Sequence, residues 1–497
     1  MRGRRRTFLI AGAILFASTA LSTAAETIRP PLTARDSGAI RADAGLTGQS
    51  GWMLIDLDTG EVLDQKGGTT PFVPASVAKL PTAAFALDAM GPDHRFETTI
   101  IGTGGVTGGQ LTGDLILVGG GDPELDTDAL PALVNELTQR GVRSVRGGFY
   151  VDGTALPQLR EIEPTQNVDA SYNPSVSGLN LNFNRVHLKW DARGGKRQLS
   201  VEAESRRLSP QVDGVRVAVA SQPGQPVFSL REQDDREIWQ MSKEAFRGRS
   251  ARWLPVKRPE AYAGEVFRTL ASDGGIQLAP ARLVNTTGQG EVLARHRSRP
   301  LGDVLRDMLR FSTNLTAEVS GTAATRSVGL KITTLAESAA VMNAWAASIG
   351  GFAPGDPGFK FANHSGLSLD GRVSPQRMVQ FLAGLAKRAA SPGKGHYRLP
   401  GGIAAYLKGH NVKDDAVPLD YDRLEVVAKT GTMSYVRGLA GYIATPGGRR
   451  LAFAVFSNDL ARRSSRGERV NKGWMRRARA FERALIRNWV IKVDKST

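Results

Sequence analysis

Residues 71–90 read PFVPASVAKLPTAAFALDAM. Val77, Leu80, Ala84, Leu87 and Ala89 supply an apolar helical run, and Pro74 stands just ahead of it, so the stretch predicts a helix whose N-terminus lies near Ser76. Pro81 falls within the first turns and leaves the start of the helix open. On a helix, positions i and i+3 share a face, which brings Lys79 to Ser76. A serine hydroxyl is a weak nucleophile until a base takes its proton. A lysine amine, ordinarily titrating near 10.4, serves as that base only where burial and a second cation hold it partly neutral. A lysine one turn along, at the edge of a site, is expected to add little to the core.

Two further short motifs follow in order. Ser312-Thr313-Asn314 interrupts a helical pattern in PLGDVLRDMLRFSTNLTAEVSGTAAT, and Lys429-Thr430-Gly431-Thr432 lies in the strand-like RLEVVAKTGTM. Each motif alone is cheap: an SxxK string recurs as Ser391-Pro392-Gly393-Lys394 and an SxN string as Ser171-Tyr172-Asn173. The first sits in a Pro/Gly stretch that cannot hold i, i+3 helical geometry, and the second runs straight into Pro174. Three motifs in order, each on a suitable element, form the set used for serine acyl transfer. In that chemistry Ser76 is the nucleophile, Lys79 its base, Ser312 a proton relay and Asn314 a holder of a substrate amide. Lys429, Thr430 and Thr432 face a C-terminal carboxylate, and the N–H groups of Ser76 and Thr432 form an oxyanion hole.

Outward from these motifs, GWMLIDLDTGEVL predicts a β-hairpin turning at Asp58-Thr59-Gly60-Glu61. From about 96 to 275, short β-like runs broken by glycine predict mainly antiparallel sheet. GGGDPEL within them lacks the order and ending of a phosphate loop. Helices are expected over 334–349 and 375–388, and three strands through RLEVVAKTGTM, GLAGYIAT and RRLAFAVFSND, with TPGGR turning between the last two. Trp474, Ala478, Phe481, Leu485 and Trp489 recur at helical spacing near the end, a stripe suited to a sheet face more than to a membrane surface.

The first 25 residues have the form of an export signal: MRGRRR is positive, TFLIAGAILFASTAL is apolar and too short to span a bilayer, and STAA suits cleavage. The formal net charge is +17, and loss of Arg2, Arg4, Arg5 and Arg6 with the signal leaves +13. An exported basic protein suits anionic envelope polymers, with at most peripheral membrane contact. Nucleic-acid binding is disfavoured, because neither zinc-finger spacing nor an RNP-like aromatic pattern occurs. The chain has no cysteine, which excludes thiol chemistry, and its six histidines form no HExxH string. No metal and no cofactor are expected.

The chain resembles the low-molecular-mass penicillin-binding proteins of the D-alanyl-D-alanine carboxypeptidase/endopeptidase family. Beyond the triplets, the strings that carry the resemblance are FVPASVAKLPTAA, GDLILVGGGDPEL, SVRGGFYVD, YNPSVSGLNLNFN, FSTNLTAE, NHSGLSLDGRVSP and VVAKTGTMSYVRGLAGYI. Together they span nearly all of the chain after its first segment. The separation of 236 positions from Ser76 to Ser312 implies the family's large insertion. The resemblance implies an α/β (α+β) fold, a β-lactamase-like catalytic domain in which helices cover an antiparallel sheet. That domain would comprise residues 26–90 and 276–497, interrupted by a mainly β region of two subdomains over 91–275. It implies an exported, periplasmic enzyme that cuts peptidoglycan stem peptides and cross-links through an acyl-enzyme at Ser76, with β-lactams as covalent inhibitors. Lys79, Ser312, Asn314, Lys429, Thr430 and Gly431 match the family's motif positions. Thr313, Asn363 and His364 depart from its usual residues, and His364 is expected to be structural. A β-lactamase and an inactive wall-binding protein of the same fold are the alternatives; the first lacks a matching deacylating glutamate between Ser76 and Ser312. The balance of carboxypeptidase and endopeptidase action and the oligomeric state stay open.

Overall fold

The strands Val436–Ala444 and Arg450–Asn458 are buried almost end to end, a pattern that requires cover on both faces of their sheet. The computed structural model describes residues 34–195, 197–221, 226–284, 289–389, 399, 401–466 and 471–494. The export segment and the Ser391–Lys394 string lie outside these residues.

Six antiparallel strands form the main sheet, in the order Lys408–Gly409, Glu425–Met433, Val436–Ala444, Arg450–Asn458, Gln49–Asp56 and Val62–Lys66. The hairpin at Asp58–Glu61 thus adds the outer edge. On one face lies the C-terminal helix Lys472–Asp494, whose Trp474, Ala478, Phe481, Leu485 and Trp489 are buried in a core with Trp52 and Phe453. The stripe therefore packs on the sheet, and its exposed arginines occupy the opposite side. Among the described residues no helix is long and apolar enough to cross a membrane.

The other face carries the helices Lys79–Met90, Leu301–Phe311, Asn314–Ser327, Leu335–Gly350 and Pro375–Arg388. The first of these is buried over its whole first half, with neighbours on every side, which explains why its sequence is apolar without a polar stripe. The break expected at Ser312–Asn314 is a sharp corner between two helices.

Between these parts the chain builds further sheets. A five-stranded sheet runs in the order Arg282–Leu283, Phe149–Asp152, Leu115–Gly119, Glu97–Gly102, Glu291–Arg297, and two three-stranded sheets are formed within residues 185–255. The pairing here is mainly antiparallel, as expected, with parallel neighbours among it. Leu115–Gly119 pairs in parallel with Phe149–Asp152, as do Arg282–Leu283 with that same strand and Val215–Ala220 with Arg236–Ser242. Parallel neighbours need a crossover, and the helix Leu130–Gln139, unread in the glycine-rich sequence, supplies one. The helix Pro259–Asp273 precedes the short strand Arg282–Leu283.

Candidate active site

Pro74 leads into a 3-10 turn, Ala75–Ala78, that continues as the α-helix Lys79–Met90. Pro81 is the third residue of that helix, where a backbone N–H has no intrahelical acceptor and is not missed. Ala75 has φ of 46°, a left-handed conformation that alanine adopts at a cost, and it turns Ser76 toward the cleft. Lys79 Nζ then lies 3.0 Å from Ser76 Oγ.

Lys79 is fully buried rather than placed at an edge, which corrects the sequence expectation. Its Nζ also reaches Asn314 Oδ1 at 2.7 Å and the carbonyl of Ser365 at 2.8 Å. Burial, and then the charge of Lys429, lower its pKa well below the usual lysine range, against the opposing pull of Glu318. A neutral amine has two N–H donors and one lone pair. Asn314 Oδ1 and the Ser365 carbonyl can only accept, so they take both N–H groups and leave the lone pair to Ser76, the one neighbour of the three that can donate.

Ser312 closes the helix Leu301–Phe311 in a left-handed conformation, φ 62°, with its N–H on the carbonyl of Met308. This turn starts the next helix at Asn314 and aims Ser312 Oγ at Lys429 Nζ, 3.0 Å away. Thr313 Oγ1 instead bonds Thr316, consistent with a middle position outside the cleft. Asn314 Nδ2 donates to the carbonyl of Tyr172 at 2.8 Å, and its two contacts fix the amide orientation.

Lys429 is buried on strand Glu425–Met433, where burial, Arg437 and Lys408 push its pKa down to about 7. Gly431 is required by a close approach: a Cβ there would lie 2.2 Å from the carbonyl oxygen of Pro74. The strand edge thus rests directly on the turn that carries Ser76. Thr430 and Thr432 line the same cleft of about 330 Å³ as Ser76, Ser312 and Asn314. Thr432 Oγ1 accepts from Arg437, which is held by Glu482 in a buried bidentate pair.

All eight residues singled out in the three motifs meet here. Three contributors escaped the sequence reading. Glu318 is fully buried and accepts the N–H groups of His364 at 3.0 Å and Ser365 at 2.8 Å, and burial raises its pKa. It stands four positions after Asn314, on the same helix face, which was the available signal. Arg437 is the second. Tyr172 is the third, in a string set aside as chance: Asn173 is indeed a buried structural residue, yet its neighbour walls the cleft. His364 is buried away from the cleft, its Nε2 2.7 Å from Ser338 Oγ, and burial lowers its pKa to about 3.

Residues 38–478 match the model of the D-Ala-D-Ala carboxypeptidase 3 (S13) family. A D-alanyl-D-alanine carboxypeptidase from an Actinomadura species is 29% identical over 455 residues, covering 85% of this chain and 80% of that protein. The D-alanyl-D-alanine carboxypeptidase DacB of Haemophilus influenzae is 25% identical over 430 residues, 82% of this chain and 85% of that protein. The crystal structure of penicillin binding protein 4 (dacB) from Haemophilus influenzae has the same fold, with a TM-score of 0.74 at 22% identity over 91% of this chain and 98% of that one. With the family model spanning nearly the whole described chain, the protein belongs to the D-Ala-D-Ala carboxypeptidase 3 (S13) family and is a serine-type DD-carboxypeptidase.

Proposed function

We propose that Ser76 is the residue acylated by peptidoglycan stem peptides ending in D-Ala-D-Ala, and that β-lactams acylate it in the same way. Neutral Lys79 takes the proton of Ser76 Oγ as the oxygen attacks the carbonyl carbon of the penultimate D-alanine. The N–H groups of Ser76 and Thr432 receive the developing oxyanion. The C–N bond then breaks; the leaving D-alanine nitrogen takes a proton from Lys429 through Ser312, and in the hydrolysis that follows Lys79 returns its proton to Ser76 Oγ while a proton of the attacking water restores Lys429. Water hydrolyses the resulting ester and frees Ser76. Asn314 holds an amide on the acyl side of the scissile bond, while Thr430, Thr432 and Lys429 take the C-terminal carboxylate, and Gly431 lets the strand approach.

The observation that carries this assignment is the donor set around Lys79, which leaves its lone pair to Ser76 alone. A solved structure of the Haemophilus influenzae protein in complex with a β-lactam supports the inhibitor part of the reading. Export to the periplasm, where a basic protein meets an anionic wall polymer, belongs to the same proposal, as does the division into a catalytic layer and an inserted region.

The test is fluorescent penicillin labelling. One adduct is expected on the wild type and none on Ser76→Ala; labelling that survives the substitution removes Ser76 from the mechanism. Rapid repeated turnover of penicillin would instead make the protein a β-lactamase. Loss of one alanine from a monomeric pentapeptide marks carboxypeptidase action, and conversion of cross-linked dimers to monomers marks endopeptidase action.

A further inference from the structure

Strand Arg185–Asp191 sends Arg185, His187 and Lys189 to one face of its sheet. Two of these three basic side chains are matched by acids. His187 Nδ1 lies 2.8 Å from Glu204, and Lys189 lies 2.6 Å from Glu202 and also pairs with Glu204. Arg185, the member beside the active site, has no acidic partner among the described residues. Its guanidinium carbon sits 5.1 Å from the ring centre of Phe183 and 5.4 Å from that of Trp253, and its buried Nε has no hydrogen-bond partner among the described residues. A guanidinium is always charged, and one held against aromatic faces with no carboxylate beside it keeps that charge available to an anion.

Arg185 and Phe183 line a pocket of about 170 Å³ whose opposite wall includes Phe311, Ser312 and Asn314. Phe311 is 65% exposed, an unusual position for a phenylalanine at the rim of a cleft. The Asn314–Tyr172 hydrogen bond separates this pocket from the main cleft, and both residues line the two spaces. Phe183 is held there against local preference. Asn182, Phe183 and Asn184 have φ of 50°, 57° and 52°, three consecutive left-handed residues that a Cβ disfavours. Asn182 is pinned to Thr127 and Tyr262, and Asn184 to Ser175 and Asn180. Such strain, kept in place by buried amides, marks a position the fold maintains for use.

We propose that this pocket is an anion subsite for the acyl portion of the substrate, in which Arg185 takes a carboxylate on the part of the peptide that stays on Ser76, flanked by Phe183 and Phe311. The inference rests on the function proposed above. The acyl side is indicated because the pocket adjoins Asn314 and contains no residue of the Lys429 strand.

The experiment compares isosteric peptides ending in D-Ala-D-Ala: acetyl-Glu against acetyl-Gln at the preceding residue, and succinyl-Gly against succinamyl-Gly. In the wild type, at least one carboxylate peptide has a KM about tenfold below its amide twin, the size expected of one charge-assisted contact in a partly wet site. The ratio shrinks as salt is raised. In Arg185→Gln it collapses toward one, and Arg185→Lys keeps part of it. Ratios near one for both pairs in the wild type overturn the proposal, as does an unchanged ratio in Arg185→Gln. Should Arg185→Gln fail to fold, the wild-type ratios and Arg185→Lys decide. Absence of penicillin labelling at Ser76 and of hydrolysis of all four peptides would refute the underlying function, and this subsite with it.

Discussion

Lys79 and Glu318 are joined through a single residue: Glu318 accepts the N–H of Ser365 at 2.8 Å, and Lys79 donates to the carbonyl of Ser365 at 2.8 Å. Both side chains are fully buried, so each feels the other's charge with little screening.

Glu318→Gln therefore shifts the pH profile of acylation. Lys79 must be neutral to act, so the rate falls as pH drops through its lowered pKa. Glu318 is the influence that raises that pKa, and removing its charge lowers it further. The acid limb of penicillin acylation moves to lower pH in Glu318→Gln. A limb that stays in place or moves to higher pH contradicts the coupling.

Lys79→Met cuts the acylation rate by about 10²–10⁴-fold, the usual contribution of a positioned general base. It also costs about 1–3 kcal/mol of stability, because Asn314 Oδ1 and the Ser365 carbonyl lose their donor in a buried place. Stopped-flow labelling with denaturant titration measures both. A variant as stable as the wild type would show that Lys79 is not part of the core.

Lys429 has a pKa of about 7 in the folded protein, below its ordinary 10.5. It is charged below that pH and neutral above it. Its attraction for the C-terminal carboxylate is thus present on the acid side and fades as pH rises through about 7, so KM for a D-Ala-D-Ala peptide climbs there. Lys408→Ala removes one of the cations that depress the pKa and moves the climb to higher pH. Steady-state kinetics from pH 6 to 9 follow it, and a flat KM would separate Lys429 from carboxylate recognition.

Gly431→Ala places a methyl where the carbonyl of Pro74 already stands, 2.2 Å away. The strand must withdraw from the Ser76 turn, and acylation falls by about 100-fold, as for other small misplacements of reacting groups. A crystal structure together with labelling kinetics checks it; an unperturbed rate would mean that the strand edge can yield without cost.

His364 is buried and neutral, with its pKa lowered to about 3 from 6.5. Between those values the unfolded chain binds the extra proton and the folded chain does not. Stability is fully present above about pH 6.5 and declines as pH falls toward 3, by about 1.4 kcal/mol per pH unit from this group. Urea unfolding at pH 7.5 and pH 5 should show the decline reduced in His364→Gln. An equal decline in both proteins would assign it to other groups.

The order of Ser76–Lys79, Ser312–Asn314 and Lys429–Thr432 and the elements that carry them were legible in the chain, because each element has its own local signature: a helix start, a helix break and a β run. The helices 334–349 and 375–388 and the three C-terminal strands were legible for the same reason, since periodicity and turn residues act over a few positions. The helix Leu130–Gln139 was obscured by glycine-rich flanks, and the parallel pairing it permits depends on strands far apart in sequence.

Sequence alone determined which residues could carry acyl transfer and that a long stretch of chain separates Ser76 from Ser312. Only the tertiary structure decided that Lys79 is buried, that Glu318 and Tyr172 belong to its surroundings, and that Arg185 stands beside Asn314 with no acid paired to it among the described residues. Ser76 and Lys79 are neighbours by helix geometry, which a spacing of three positions suffices to specify. Charge state and isolation from water are sums over every segment that packs against a group, and those sums exist only once the chain has folded.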